Sequence, residues 1–390
     1  MKRRSVVFAG LAAAVAVAAV AATTATASSR PAAHKSAAAA LVKCGKLVNI
    51  GAAIPITGPA ASIGINQLHW ARFFVTRWNA THKKFKVNMI QGDTQLPNVA
   101  AATSVAQTFA SNPKVLGVVG PAGSQEVIGT TAIFRGAGLG FVSGSATKTT
   151  LTDGSRRGYF FRVVPTDAQQ GPRIAAYAVS KLHVKRVEII DDQEAYSTGL
   201  AADAKAYFES KGVTVVSDSV SQSASDFSAL VSKVGSNVDA VYIPWQLAGK
   251  AQVFAQQMHE QGKKAILLSS DGTFAPGTYD PPQTAYNSFF PVSTTNPLIA
   301  SFKRSHGGQA EYFGAPTYVA AQVVVTAIQK ACKNGTASRA EVRKDIAATR
   351  IPTKSSLLGF AVHFARTGAL AAPGDFGIFN VTGGKYQRVG

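Results

Sequence analysis

Two short runs of small hydroxyl residues, Gly120-Pro121-Ala122-Gly123-Ser124 and Ser143-Gly144-Ser145-Ala146-Thr147, each follow an apolar stretch of strand character. Hydroxyls and N–H groups where a strand gives way to a helix can hold a carboxylate, aided by the helix dipole. Ser124 can instead cap the helix that follows it, and the two uses compete for one oxygen. Two consecutive loops of this kind favour joint recruitment to one polar end of a ligand. Further on, Asp191-Asp192-Gln193-Glu194-Ala195-Tyr196 ends the run VEII, Trp245 follows VYIP, and Asp271 follows ILLSS. An Asp before Gly272 either closes an Asx turn or pairs a ligand ammonium in a desolvated cleft.

Other chemistries find no footing. Nucleophilic hydrolysis has neither a G-x-S-x-G turn nor a His at a strand end to act as base; His69, His183 and His363 read as surface or packing residues. Metal spacings such as CxxC are absent, and His259-Glu260 has no second His four residues on. Ile54-Pro55-Ile56-Thr57-Gly58-Pro59-Ala60 should close the first strand and open a helix, a junction that favours an anion or an apolar ligand edge. It carries no nucleotide fingerprint, and Gly136-Ala137-Gly138-Leu139-Gly140 precedes a strand instead of following one. The residues therefore point to a binder, with no enzyme activity, cofactor or metal.

The elements that would position these loops follow one pattern. Short β-branched runs alternate with Ala-rich stretches of helical period, divided by Gly, Pro, Asp and Ser. Strands are expected over 47–54, 86–91, 115–119, 140–142, 160–163, 186–191, 214–219, 240–243, 265–269 and 288–291. Helices are expected over 67–79, 99–111, 124–135, 171–182, 200–211, 227–234, 249–261 and 316–332. Strands alternating with helices of this size call for parallel sheets with right-handed crossovers. The number of units exceeds one comfortable sheet. Crossings near Val163, Pro291-Val292 and Phe364–Pro373 divide the chain into one lobe of 47–163 plus 293–363 and another of 164–292 plus 364–390. A ligand cleft is expected at the carboxyl ends of the strands.

The length of 390 residues likewise favours two domains over one. With 46% hydrophobic residues and 15% charged, the chain is globular rather than disordered. Lys2, Arg3 and Arg4, the apolar run 6–22 and Ala25-Thr26-Ala27 read as a secretory signal peptide, residues 1–27, with an uncleaved anchor helix as the alternative. Residues 28–46 begin as a low-complexity stretch and are expected to be a flexible lead-in. The formal charge of +20 raises nucleic acid as a partner, but the basic residues are scattered, with no Lys/Arg-rich block, and export argues against it. Cys44 and Cys332 are both carried into an oxidising compartment, where such a pair is expected to form a disulfide.

In order and spacing, four segments resemble the leucine/isoleucine/valine-binding protein family, the type I periplasmic solute-binding proteins of ABC transporters. They are IGAAIPITGPAASIG, VVGPAGSQEV, FVSGSATKTTLTDGSRRGYFFRVVPTDAQQG and IIDDQEAYSTGL, within a match running from about Leu47 to Arg388. The resemblance implies an α/β fold of two lobes, each a parallel sheet flanked by helices, joined by three hinge crossovers. It also implies a monomer that delivers a small polar ligand to a membrane permease. It places the ligand's α-carboxylate on Ser124 and Thr147. It places the ammonium on the Ser145 carbonyl, the Thr147 hydroxyl and Asp271. Ala146 lies in the same loop, Tyr196 matches the second-lobe aromatic, and Trp245 lies near another expected tyrosine. Asp271 stands where branched-chain receptors have Glu, Ser145 where they have Ala, and Ile63 where they have a pocket aromatic. The expected ligand is thus an amino acid, with the branched-chain preference open. A sensory module for a membrane receptor, or a receptor for amides, urea or aromatic acids, is the alternative.

Overall fold

The structure, a computed structural model, describes residues 41–308 and 312–390, so the expected signal segment lies outside the described residues. A short strand β1 (Val42–Lys43) comes first. It is followed by β2 (Leu47–Ile54), α1 (Ala61–Thr81), β3 (Lys86–Asp93), α2 (Val99–Ser111), β4 (Val115–Val119), α3 (Ser124–Gly136), β5 (Phe141–Ser143) and β6 (Phe160–Arg162). Strands β2 to β6 form a parallel sheet in the order β3-β2-β4-β5-β6. Every residue of β4, VLGVV, is buried. A central strand covered by helices on both faces reads as an unbroken apolar run rather than an alternating one.

The chain then crosses to a second series: α4 (Asp167–Lys181), β7 (Arg186–Asp191), α5 (Ala195–Ser210), β8 (Thr214–Ser219), α6 (Ser228–Lys233), β9 (Ala240–Ile243), α7 (Ala248–Glu260), β10 (Ile266–Ser269) and β11 (Ala285–Phe289). It returns to the first sheet through α8 (Pro297–Ser305), α9 (Gly314–Ala331), β12 (Thr336–Ala337) and α10 (Arg339–Ala347). Strand β13 (Gly377–Thr382) finally adds antiparallel to β11, and β14 (Lys385–Arg388) antiparallel to β13. The second sheet has the order β14-β13-β11-β10-β9-β7-β8.

Each sheet has its own core. In the first, α9 lies against β4 and β5, Trp70 stacks on Phe302 at 4.0 Å, and Tyr318 meets the Trp70 ring edge-on. In the second, Trp245 packs between Phe227 and Phe254, with ring centroids 5.0 and 5.2 Å away.

Six elements arise where the sequence reading placed none: β1, α8, β12, α10, β13 and β14. Helix α10 is opened by a reciprocal cap, in which Ser338 Oγ accepts from Glu341 N at 3.2 Å and the Glu341 carboxylate accepts from Ser338 N at 2.7 Å. The buried Arg339 beside it donates to the carbonyls of Phe109, Ala110, Asn112, Val115 and Ala137, tying α10 to the first sheet. Gly383 and Gly384, at φ 56° and 67°, make the tight turn between β13 and β14.

Two expectations are corrected. The lead-in is not free to residue 46: Val42 pairs with Ala337, and Cys44 is bonded to Cys332 with Cα atoms 5.7 Å apart. The final crossing falls after Leu370, within the expected stretch Phe364–Pro373, but the lobe boundary moves from 364 to beyond 370, because the Phe364 and Leu370 side chains stay in the first core beside Phe161 and Val163. Gly368 O also accepts from Arg162 N at 3.1 Å. Among the described residues, no helix is long and apolar enough to cross a membrane.

Candidate ligand-binding site

Ser124 is the first residue of α3, and Gly123 occupies the cap position with no side-chain cap. The buried N–H of Gly123 is met instead by the Glu126 carboxylate at 2.8 Å. Burial pushes the Glu126 carboxyl up to about 7, opposed by that N–H. With capping done by Glu126, the Ser124 hydroxyl is left, among the described residues, to accept only a long 3.3 Å bond from Lys148 N. The competition between cap and ligand at Ser124 is thus resolved away from the cap. Gly120, at φ 96°, turns the chain out of β4; a Cβ there would lie 2.2 Å from Ala53 O.

The loop after β5 is folded by its own serines. Ser143 Oγ donates to Pro121 O at 2.6 Å and accepts from Ala146 N at 3.0 Å. Ser145 Oγ donates to Ala122 O at 2.8 Å and accepts from the Gln67 amide at 2.9 Å. The buried Arg162 guanidinium then clamps the loop from beneath, donating to the carbonyls of Ala146, Lys148 and Thr149 and to the Thr152 hydroxyl. Burial lowers that guanidinium to about 10. The Thr147 hydroxyl is buried and meets no hydrogen-bond partner among the described residues.

From the second sheet come Tyr196, at the start of α5, and Asp271, just after β10. The Tyr196 hydroxyl donates to Asp271 Oδ1 at 2.6 Å, lies 2.8 Å from Ser270 Oγ, and accepts from Gly272 N at 3.2 Å. Burial pushes the Asp271 carboxyl up to about 6, with Tyr196 opposing the shift. Gly272 is required for closeness: a Cβ would stand 2.5 Å from Trp245 O and 3.2 Å from the Tyr196 ring.

These groups face one another across a space of about 20 Å³ lined by Ser124 and Ser145 on one side and by Tyr196, Gln246 and Asp271 on the other. Such a volume holds about one water-sized group. Contacts between the halves hold it small. The Gln125 amide donates to Gln246 Oε1 at 2.7 Å, and the Thr149 hydroxyl donates to Asp203 Oδ2 at 2.8 Å.

Several placements differ from the sequence reading. Trp245 does not face the space; its indole N–H donates to Ile190 O at 2.8 Å and its ring lies in the second core. Its neighbour Gln246 faces the space instead. Ala146 is core as well, its N–H and carbonyl both bonded within the protein. Thr147 is not part of the lining and sits behind it beside Asp167, whose N–H donates to Thr147 O at 3.0 Å.

Asp167 is the residue the sequence reading missed. It is the first residue of α4, fully buried, and neither carboxylate oxygen meets a hydrogen-bond donor among the described residues. Burial pushes its carboxyl up to about 8; nearby Asp271 adds to the shift, and Thr147 and Arg162 oppose it. Its one sequence signal was its place in the run RVVPTDAQQG. Among the described residues no His, Cys, Asp and Glu cluster could hold a metal ion.

Residues 47–385 match the profile of the family described as periplasmic binding protein. The chain belongs to that family. This periplasmic binding protein is 30% identical over 311 residues to a Leu/Ile/Val-binding protein, BraC3, of Rhizobium johnstonii, covering 75% of this chain and 81% of that one. It is 31% identical over 229 residues to an amino acid binding protein of Pseudomonas aeruginosa, where the match covers 58% of this chain and 60% of the relative. Its fold is that of a leucine binding protein, LivK, from Thermotoga maritima: TM-score 0.79 at 22% identity, covering 88% of this chain and 98% of that one. Both are two-lobe folds of the type I class. The family is a class of solute binders.

Proposed function

We propose that this protein is the extracytoplasmic substrate-binding protein of an ABC importer, closing its two lobes on an amino-acid zwitterion. The observation that carries the reading is the polarity of the cleft. Hydroxyls and the α3 N-terminus stand on one side, and the paired Asp271 and Tyr196 stand on the other. Ser124, with Thr147 behind it, takes the α-carboxylate; Asp271, oriented by Tyr196, takes the ammonium, a charge-assisted pairing. The likeness to binding proteins named for leucine, isoleucine and valine supports an amino acid as ligand.

Closure is a population shift: a ligand touching both lobes stabilises the closed state by the contacts it gains only there. The Gln125–Gln246 and Thr149–Asp203 bonds form only when the lobes meet, so they set how far the ligand-free protein already favours closure. The protein is exported by its N-terminal signal, works as a monomer, hands its ligand to a membrane permease, and has no nucleic-acid partner.

The test is a thermal-shift screen against the twenty amino acids, short amides, urea and small aromatic acids. A ligand at 100 times its Kd adds roughly 2.7 kcal/mol and raises the midpoint by a few degrees. A shift with α-amino acids supports the reading. Shifts with amides or aromatic acids alone overturn the zwitterion assignment.

A further inference from the structure

The cleft does not end at the polar space. Ile63, Gly272 and Phe313 line both that space and a second cavity of about 360 Å³, more than ten times larger than the 20 Å³ between the polar ends. A side chain leaving a ligand held between Ser124 and Asp271 has this cavity beside it. The sequence gives one reason for the room: position 63 holds Ile rather than a bulkier aromatic ring.

The chemistry of this cavity is mixed. Ile63, Phe274 and Phe313 supply apolar wall, while Ser62, Asn66 and Lys303 supply hydrogen-bond donors, and no carboxylate is part of the lining among the described residues. Lys303 forms no ion pair among the described residues. Lys303 lies in the last turn of α8, where backbone carbonyls would oppose an anion, but its own carbonyl already accepts from His306 N and Gly308 N. Ser62 and Ile63 belong to the first turn of α1, a 21-residue helix whose first turn holds no acidic residue and whose cap residue Ala60 makes no side-chain bond. The positive end of that helix therefore adds to the potential set by Lys303. Ile63, Phe274 and Phe313 are buried, whereas Ser62 is exposed and Asn66 and Lys303 are half-buried, so the donors stand on the outer side of the cavity and the apolar wall on the inner side.

We infer that the bound amino acid carries a second carboxylate at the end of its side chain, held by Lys303, Ser62 and Asn66. Its methylenes lie against Ile63, Phe274 and Phe313. The inference rests on the reading of the polar space as the seat of the zwitterion.

The test is calorimetry of the purified protein with L-glutamate, L-α-aminoadipate, L-glutamine and L-leucine, repeated with Lys303→Gln and Lys303→Arg. The acidic ligands are expected to bind roughly tenfold or more tightly than leucine, the scale of one hydrogen-bonded charge contact. Lys303→Gln should remove that advantage and leave leucine within about twofold, Lys303→Arg should retain most of it, and added salt should weaken the acids selectively. Leucine binding as tightly as the acids overturns the inference while leaving the zwitterion site intact. Glutamine matching glutamate overturns the role of charge. A Lys303→Gln loss shared equally by leucine and glutamate overturns the assignment of Lys303. Binding of none of the four overturns the zwitterion reading and this inference with it. The comparison among ligands on the unaltered protein stands even where a variant fails to fold.

Discussion

Asp271→Asn should weaken amino-acid binding by about two orders of magnitude at neutral pH. Asp271 is buried and held by Tyr196 at 2.6 Å, so a ligand ammonium meeting it would be shielded from water. Removing one member of a buried, hydrogen-bonded charge pair costs about 2–5 kcal/mol, or roughly 30-fold to several thousand-fold in Kd. Asn retains the volume and can still accept from Tyr196, which places the expected loss toward the lower end. The same residue sets a pH signature. Burial lifts the Asp271 carboxyl to about 6, and only its ionised form pairs an ammonium. Affinity in the unaltered protein should therefore fall by roughly tenfold between neutral pH and one unit below that value, with protons released on binding around pH 6. Asp167 is itself lifted to about 8, chiefly by burial and in part by nearby Asp271. Calorimetry across this range, in buffers of different ionisation enthalpy, reads both the Kd and the proton count. A variant Kd within about threefold of the original, or affinity that rises on acidification, would refute the placement of Asp271 against an ammonium.

Further outcomes follow from the same geometry. Ser124→Ala should leave the unfolding free energy nearly unchanged, because Glu126 meets the Gly123 N–H, yet weaken the ligand about tenfold or more. A stability loss of about 1 kcal/mol with unchanged affinity would return Ser124 to a capping role. Ligand-free stability should fall as pH rises from about 4 to about 8. Asp167, Glu126 and Asp271 keep protons in the folded state at about 8, 7 and 6 that the unfolded chain has already lost. Thermal midpoints at pH 5 and 8 check the sign, and Asp167→Asn should flatten the upper part of the curve. Replacing Cys44 and Cys332 by Ser should cost about 2–4 kcal/mol in denaturant unfolding, since the bond closes a loop with a sequence separation of 288. Arg339→Met should cost about 3 kcal/mol or more by stranding five carbonyls, measured by the same unfolding experiment.

Much of the fold was legible because its signals are local. The runs VLGVV, RVEIID, TVVSDS and AVYI each became a strand at the expected limits, and 99–111 a helix, since β-branching and helical period act within a few residues of chain. The hydroxyl loops also fell at strand ends, because strand-to-helix alternation puts them there. The Gly383-Gly384 turn and the Ser338 to Glu341 cap were written in equally local terms but lay beyond the most regular stretch of the pattern.

What only the tertiary structure decided is which way neighbouring residues face. Trp245 and Gln246 adjoin in sequence, yet the indole is consumed by Ile190 O and the second core while the amide crosses the cleft to Gln125. Ser124 became available because a glutamate two residues later took over the cap, and Ala146 was drawn into the core by the clamp of Arg162. Asp167 acquired its shifted carboxyl from burial beside Asp271, a residue more than a hundred positions away in the chain. Periodicity and turn chemistry act through neighbours and can be read along the chain. Desolvation, charge coupling and the share of each hydrogen bond are fixed by atoms that only folding brings together.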